Sequence, residues 1–129
     1  MTLIDSSVWI ASFAKRPTIR VVSLVKKEEI LTCLPVIQEV LQGIRDGSTF
    51  RRVREAMFAV PIVESPLTAA VVREAVDLYR LARRHGYTIR SSMDCLIAAC
   101  AIRHDAEVMH RDRDYVALAR ISSLRERSV

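Results

Sequence analysis

The chain has 129 residues, half of them hydrophobic and 5% aromatic, with a formal net charge of +5. This length accommodates one hydrophobic core and is too short for two, so residues 1–129 are predicted to form a single domain. The low aromatic content argues against a stacking platform for single-stranded nucleic acid, whereas a basic protein often binds a polyanion. The cysteines lack metal-binding spacing, and no apolar run is long enough to span a membrane. We therefore expect a cytoplasmic protein with reduced, buried thiols.

The first predicted element is a short buried strand over Thr2–Ile4, followed by Asp5 and two serines that turn the chain into a helix. An acidic residue at the end of a buried strand lies where open α/β sheets bind their ligands. Because Asp is also a common helix cap, an ordinary N-cap is the alternative for Asp5. Both interpretations stay open for this residue taken alone.

A helix and a second strand are predicted next. The recurrence of Ile19, Val22 and Val25 on one face predicts a helix over Thr18–Glu29. The largely apolar segment Ile30–Leu34 is predicted to be the second buried strand. This alternation of strands and helices favours an α/β fold.

Two helices follow, one with an acidic residue and one that is strongly basic. The helix predicted over Val36–Ile44 carries Glu39 on the flank of its apolar face. A boundary glutamate in water is the simpler interpretation of Glu39 taken alone. The helix predicted over Thr49–Met57 has arginines that either face solvent or contact phosphates. These are Arg51, Arg52 and Arg54.

The second half of the chain begins with a third predicted strand, Phe58–Val63, in which Pro61 indicates an edge position or an early end. A long amphipathic helix is predicted over Leu67–Arg84, and Gly86 ends it. One face of this helix is apolar and the other is charged, so we expect it to cover the core from one side.

The segment from Ser91 to Ile102 predicts a helix that is apolar on nearly every side and therefore buried on more than one face. Its first turn carries Asp94, and no basic residue of the predicted helix lies three or four positions away to pair with it. Burial of an unpaired carboxylate is costly, so Asp94 must meet water, a donor, a proton or a metal ion. A second contribution to the helix N-terminus is the alternative.

The last part of the chain again places acids at a strand end. A strand is predicted over Glu107–His110, followed by Asp112 and Asp114. Val116–Arg120 is predicted to be a short helix, and the residues from Ser122 onward a polar tail.

The order of these elements predicts an α/β fold with a parallel sheet covered by helices. Several acids would then converge at one edge of the sheet, where they repel one another unless a cation is present. The four acids are Asp5, Glu39, Asp94 and Asp112. Oxygen ligands suit Mg²⁺ or Mn²⁺, whereas zinc prefers His and Cys. His104 and His110 have no ligand-like spacing and are predicted to be ordinary surface residues. Enzymes are known to hydrolyse phosphodiester bonds with Mg²⁺ ions that carboxylates hold.

Four segments, in this order and spacing, match one family better than any of them does alone. They are Leu3–Trp9, Pro35–Val40, Arg90–Ala99 and His110–Tyr115. Through them the chain resembles the PIN-domain ribonucleases, and among these the short VapC-type toxins of bacterial toxin–antitoxin pairs. The resemblance covers almost the whole length. It implies a PIN-like three-layer α/β/α domain over residues 1–129.

The resemblance also implies a role for individual residues. Four acids would hold the metal, with Asp114 assisting or replacing the last of them: Asp5, Glu39, Asp94 and Asp112. Ser7 is similar to the family's small hydroxyl residue, which implies binding of a ligand water or a phosphate. The chain departs from the family pattern at two positions. His110 stands where many members have Thr, and Tyr115 replaces a common Phe.

As an activity, the resemblance implies a magnesium-dependent endoribonuclease, with Mn²⁺ as the alternative ion, that cleaves tRNA, rRNA or mRNA through a metal-activated water. It implies a homodimer and a cognate antitoxin as partners. Contacts to the RNA backbone are predicted for basic residues on the third helix and at the last strand end. These are Arg51, Arg52, Arg54, Arg111 and Arg113.

Other classes fit less well. A phosphatase of the haloacid-dehalogenase type needs Asp where Ser7 stands, and a response-regulator receiver needs a late Lys, although none follows Lys27. A non-catalytic, basic RNA-binding or dimerisation module with a PIN-like fold is the alternative, and the presence of four acids argues against it. Cleavage of DNA instead of RNA stays open.

Overall fold

The computed structural model describes residues 1–129, and its centre is one sheet of five parallel strands in the order β3-β2-β1-β4-β5. The strands are β1 (Thr2–Ile4), β2 (Ile30–Cys33), β3 (Ile62–Val63), β4 (Glu107–His110) and β5 (Arg125–Ser128). The helices are α1 (Ser6–Phe13), α2 (Leu34–Gln42), α3 (Gly47–Phe58), α4 (Ala69–Arg84), α5 (Ser92–Arg103) and α6 (Arg113–Arg120). The helices flank the sheet, which confirms the predicted three-layer α/β/α architecture.

The central strand β1 fixes where the acidic residues lie. Its Thr2 is aligned with Ile30 on one side and with Glu107 on the other. Because all strands run the same way, their carboxyl ends meet at a single edge of the sheet. Asp5 therefore leaves β1 close to the point where the chain leaves β4, and the amide of Asp5 donates to the carbonyl of Met109 at 2.9 Å.

The helix α5 is buried on several faces, as its sequence predicts. It packs against α2, α4, α6 and β4. Small side chains on this helix allow close approach, and Ile97 and Cys100 have no exposed surface. All three cysteines are buried and unpaired, as expected. One cluster of 32 buried hydrophobic residues extends through this region.

The structure confirms where α4 ends. Gly86 has a φ of 85°, a left-handed conformation that costs glycine little. Its amide donates to the carbonyl of Arg83 at 3.0 Å, and the amide of Tyr87 donates to that of Ala82 at 2.9 Å. These two bonds form a Schellman-type end, which saturates the last carbonyls of the helix.

The predicted helix over Thr18–Glu29 is wrong. The chain instead forms two short 3₁₀ turns in this region, separated by irregular backbone, at Val21–Ser23 and Lys27–Glu29. Val22, which the predicted helix would bury, is 66% exposed, and Val21 is buried in its place. Three apolar residues were too few to distinguish a helix from a loop anchored by single side chains.

Two strand predictions also need correction. The strand predicted over Phe58–Val63 is limited to Ile62–Val63, because α3 extends to Phe58. The indication from Pro61 is confirmed, since β3 is an edge strand. The prediction of a polar tail from Ser122 onward is also wrong, because Arg125–Ser128 form β5, which pairs with β4 along its whole length. None of the helices is both long enough and apolar enough to cross a bilayer.

Candidate metal centre

Four elements bring acidic side chains to the carboxyl edge of the sheet. Asp5 is the N-cap of α1 and directly follows β1, and Asp112 is the N-cap of α6 and lies two positions after the end of β4. Asp94 lies in the first turn of α5, and Glu39 lies in α2. We call these residues, with Asp114, the acidic rim.

The tightest part of the rim consists of Asp94, Asp112 and Asp114. One carboxylate oxygen from each of the three lies within 4.8 Å of the others. Asp94 is only 5% exposed, and its Oδ2 has no hydrogen-bond partner. A buried carboxylate oxygen without a partner is unusual, because its desolvation is not compensated. The arrangement therefore leaves Asp94 in need of a proton or a cation.

Asp5 is held by two hydroxyl groups. The Tyr115 hydroxyl donates to its Oδ1 at 2.7 Å, and the Ser7 hydroxyl donates to its Oδ2 at 2.5 Å. Ser7 Oγ also accepts the amide of Arg111 at 3.3 Å, so it links the ends of β1 and β4. These bonds fix the orientation of the Asp5 carboxylate at the edge of the sheet.

The electrostatics of the rim favour bound protons when no cation is present. Burial, followed by the charges of Asp112 and Asp5, raises the pKa of Asp94 to about 8. Burial and the charge of Asp5 also raise the pKa of Glu39, although the Ser6 hydroxyl, which donates to Glu39 at 3.2 Å, opposes this shift. The influence of Asp5 on both residues indicates that the rim behaves as one electrostatic group.

One cation of the chain partly neutralises the rim. The guanidinium of Arg90 lies 3.2 Å from an oxygen of Asp112 and 3.6 Å from an oxygen of Asp114. The backbone amide of Arg90 also donates to Asp114 at 3.0 Å. The Arg90 side chain is 57% exposed, so solvent weakens these ion pairs. Asp94 has no such partner.

These residues fit a hard divalent cation. The ligand atoms that converge are carboxylate oxygens, the donors that Mg²⁺ and Mn²⁺ prefer, and neither a thiol nor an imidazole belongs to the cluster. The buried Oδ2 of Asp94, which accepts no hydrogen bond from the protein, is free to coordinate such a cation. A cation at this position would compensate charges that Arg90 reaches only in part.

A comparison with protein families agrees with this geometry. The sequence profile described as the PIN domain matches residues 2–121. The chain is also 39% identical over 133 aligned residues to the VapC ribonuclease Mb1587 of Mycobacterium bovis, with 99% of this chain and 98% of the relative covered. The chain belongs to the PIN domain family of nucleases.

Other relatives of this PIN domain point the same way. Ribonuclease VapC11 of Mycobacterium tuberculosis is likewise 39% identical, with 99% of this chain and 98% of the relative covered. In structure, the chain resembles VapBC2 from Rickettsia felis, solved with a DNA fragment from its promoter, with a TM-score of 0.79 at 16% identity. That match covers 99% of this chain and 98% of the other. At this identity the structural likeness supports the fold alone.

The PIN domain brings together most of the residues that its sequence singled out. All five acids lie at one edge, and Ser7 contacts Asp5 directly. Their roles as ligands stay predictions. The arginines predicted for RNA contacts are divided between two places. Arg111 and Arg113 flank Asp112, whereas three others lie on the exposed surface of α3 and pair with no acid: Arg51, Arg52 and Arg54.

Sequence reasoning missed several residues that support this edge of the PIN domain. Arg90 belongs to one of the matched segments, but it is 22 and 24 positions from the two acids that it contacts, so no local pattern predicts these contacts. The prediction that His110 is an ordinary surface residue is wrong, because it is 1% exposed and its Nε2 lies 2.7 Å from Glu126. The same prediction for His104 is confirmed. The Glu126 contact could not be anticipated without β5.

Proposed function

We propose that this protein is a magnesium-dependent endoribonuclease of the VapC toxin type, with Mn²⁺ as the alternative ion. The observation that carries the proposal is the buried Asp94, whose unpaired oxygen lies beside two further carboxylates. Two relatives that are 39% identical over nearly the whole chain are named as ribonucleases. The basic net charge of +5 suits an RNA substrate.

In this proposal, the side chains of the acidic rim and their neighbours have different roles. Asp94, Asp112 and Asp114, whose oxygens lie within 4.8 Å of one another, would form the tightest part of the cation site, and Asp5 and Glu39 would complete the ligand set at the same edge. A bound divalent cation supplies Lewis acidity to the phosphate and activates water, so no protein nucleophile is needed. Ser7 and Tyr115 keep the carboxylate of Asp5 oriented.

The test is cleavage of RNA with and without Mg²⁺ or Mn²⁺. We expect endonucleolytic products with either ion, none in EDTA, and a loss of at least about 100-fold in Asp94→Asn, since a neutral amide is a poor ligand for a hard cation. Asp77→Asn is the matched control, because Asp77 is exposed on α4 and forms no ion pair. If the protein binds RNA without cleaving it, the non-catalytic RNA-binding module is favoured. If it cleaves single-stranded DNA and not RNA, the proposed substrate is wrong and DNA takes its place.

The proposal includes a cognate antitoxin, a homodimer and a single domain that acts in the cytoplasm. Support comes from structural neighbours, of which one is described as a toxin–antitoxin complex and another as a member of the VapBC family of toxin–antitoxin systems. Expression of the chain is expected to stop growth, and co-expression of the neighbouring open reading frame to restore it. Asp5→Ala should remove the toxicity while circular dichroism shows an intact fold. Undiminished toxicity of Asp5→Ala would contradict the catalytic assignment.

A further inference from the structure

A cleft of about 410 Å³ adjoins the acidic rim. It lies between the turn Gly86–Thr88 and the helix α6, and Asp114 belongs both to its wall and to the rim. Nothing lies within 4 Å of a Cβ placed at Gly86, so no other group crowds this residue of the wall. The volume falls within the range of about 300–1,000 Å³ that is usual for sites of small organic ligands.

The lining of the cleft combines two cations with apolar surface. Arg113 and Arg120 are exposed at opposite ends of α6, and Val116 and Ala117 lie between them. Tyr87 forms part of the wall, and its hydroxyl is 3.5 Å from a guanidinium nitrogen of Arg120. Guanidinium groups bind phosphates through paired hydrogen bonds, and bases stack on aromatic or apolar side chains.

We propose that this cleft binds one nucleotide of the RNA strand beside the phosphate that is cleaved; this inference rests on the proposed function. Its arginines contact the backbone phosphates, and the base packs against Tyr87 and the apolar residues of α6. One tyrosine can stack on one base, so a subsite for a single nucleotide is compatible with the low aromatic content of the chain. Asp114 joins this subsite directly to the rim.

The kinetic test uses Arg120→Ala, which lies at the far end of α6 from the acids, and Tyr87→Leu. We expect each variant to raise KM for RNA about tenfold and to leave kcat within about twofold, because the lost contact is with the bound strand and not with the reacting group. Arg73→Ala is the control, since Arg73 is exposed on α4 and pairs with no acid. An unchanged KM in both cleft variants would overturn the subsite.

A binding test separates this inference from catalysis. Adenosine 5′-monophosphate titrated into wild-type protein in EDTA should shift the NMR amide signals of Gly86–Thr88 and of α6. These shifts should weaken in Arg120→Ala. Shifts confined to other surfaces, or none at all, would overturn the subsite even if the protein cleaves RNA. Shifts at the cleft in a protein that cleaves no RNA would contradict the proposed function alone.

A second inference comes from the buried imidazole of His110, the last residue of β4. Its Nδ1 accepts the backbone amide of Asp112 at 3.0 Å, so in the neutral ring the proton lies on Nε2 and is donated to Glu126 at 2.7 Å. The ring also packs against Tyr115, with 4.9 Å between the centroids. Asp112 in turn accepts the amide of Asp114 at 2.9 Å.

We infer that His110 and Glu126 are positioning residues for the carboxylate of Asp112, which also rests on the proposed metal site. Neither residue belongs to the carboxylate cluster. His110 accepts a hydrogen bond from the backbone amide of Asp112, and Glu126 holds the His110 ring in place for it. The ring also packs against Tyr115, whose hydroxyl donates to Asp5. The pair spans β4 and β5, so the last strand of the sheet helps to hold the metal-binding edge in place.

The test is Mn²⁺ affinity measured by calorimetry in the absence of RNA. We expect His110→Leu and Glu126→Leu to weaken binding by about 10- to 100-fold, the usual effect of removing a group that orients a ligand. His110→Asn keeps an acceptor for the Asp112 amide, and Glu126→Gln keeps an acceptor for the ring. Both should retain affinity to within about threefold of wild type.

Several outcomes would overturn this assignment. One is wild-type affinity in a folded His110→Leu protein. If that variant does not fold, wild-type affinity in Glu126→Leu decides against the pair in the same way. Equal losses in the leucine and the conservative variants would also contradict positioning through hydrogen bonds. A wild-type protein that binds no Mn²⁺ would contradict both this inference and the proposed function.

Discussion

The environment of Asp94 is unfavourable for a charged carboxylate. It is buried at the start of an apolar helix, beside other carboxylates, and Arg90 reaches those neighbours but not Asp94. Its raised pKa is the consequence of this placement. A cation that binds at the rim must displace a proton from Asp94, so metal affinity and pH are linked.

This linkage predicts how stability changes with pH. The folded state keeps a proton on Asp94 that the unfolded chain releases near its ordinary pKa of 3.8, so the free energy of unfolding in EDTA falls as the pH rises toward about 8. The contribution of this group has a ceiling of about 1.4 kcal/mol per pH unit. Asp94→Asn should flatten the slope, whereas Asp77→Asn should not. Urea unfolding at several pH values measures the change of the free energy of unfolding with pH. If this change is the same for wild type and Asp94→Asn, the raised pKa of Asp94 is contradicted.

Three of the acids were predictable from the sequence, because each stands near a strand end or at a helix start. Asp5 and Asp112 follow apolar runs, and Asp94 opens an apolar helix. The residues that orient them were not predictable. Tyr115 is 110 positions from Asp5 in the chain, and no local pattern announces a hydrogen bond over that separation.

At the scale of the element, α5 supports both the core and the rim. We predict that Ile97→Ala, at a position with no exposed surface, lowers the free energy of unfolding by about 2–5 kcal/mol. Ile102→Ala in the same helix removes the same atoms from a partly exposed site and should cost clearly less. Chemical denaturation of both variants measures the difference. Equal losses would mean that α5 is packed no more tightly at its centre than near its end.

The elements that the sequence predicted well are those whose apolar pattern is long or unambiguous. The helices α4 and α5 and the strand β4 are of this kind. By contrast, β5 carries charged side chains at an edge of the sheet, and its pairing with β4 is supported by contacts such as Arg127–Glu107 at 2.9 Å. Edge strands are often charged, which prevents further pairing but also hides the strand from pattern analysis.

At the scale of the whole molecule, a basic protein concentrates its acids at one edge. Twenty basic residues outnumber fifteen acidic ones, yet five acids converge at one edge of the sheet. In the proposed function, the cation and the surrounding arginines would have complementary roles. The arginines would attract the polyanion over a distance, and the cation would make the acidic edge accessible to a phosphate.

This arrangement predicts a strong salt dependence of RNA binding. Affinity of the EDTA-treated protein for a fluorescent single-stranded RNA should fall linearly on a logarithmic scale as KCl increases, with a slope of about −0.7 for each phosphate contacted. Arg120→Ala should make the slope shallower by about one such contact, whereas Arg73→Ala should not. Fluorescence anisotropy over a KCl series measures both. An affinity that does not change with salt would mean that charge does not drive binding, and the net positive charge would then need another explanation.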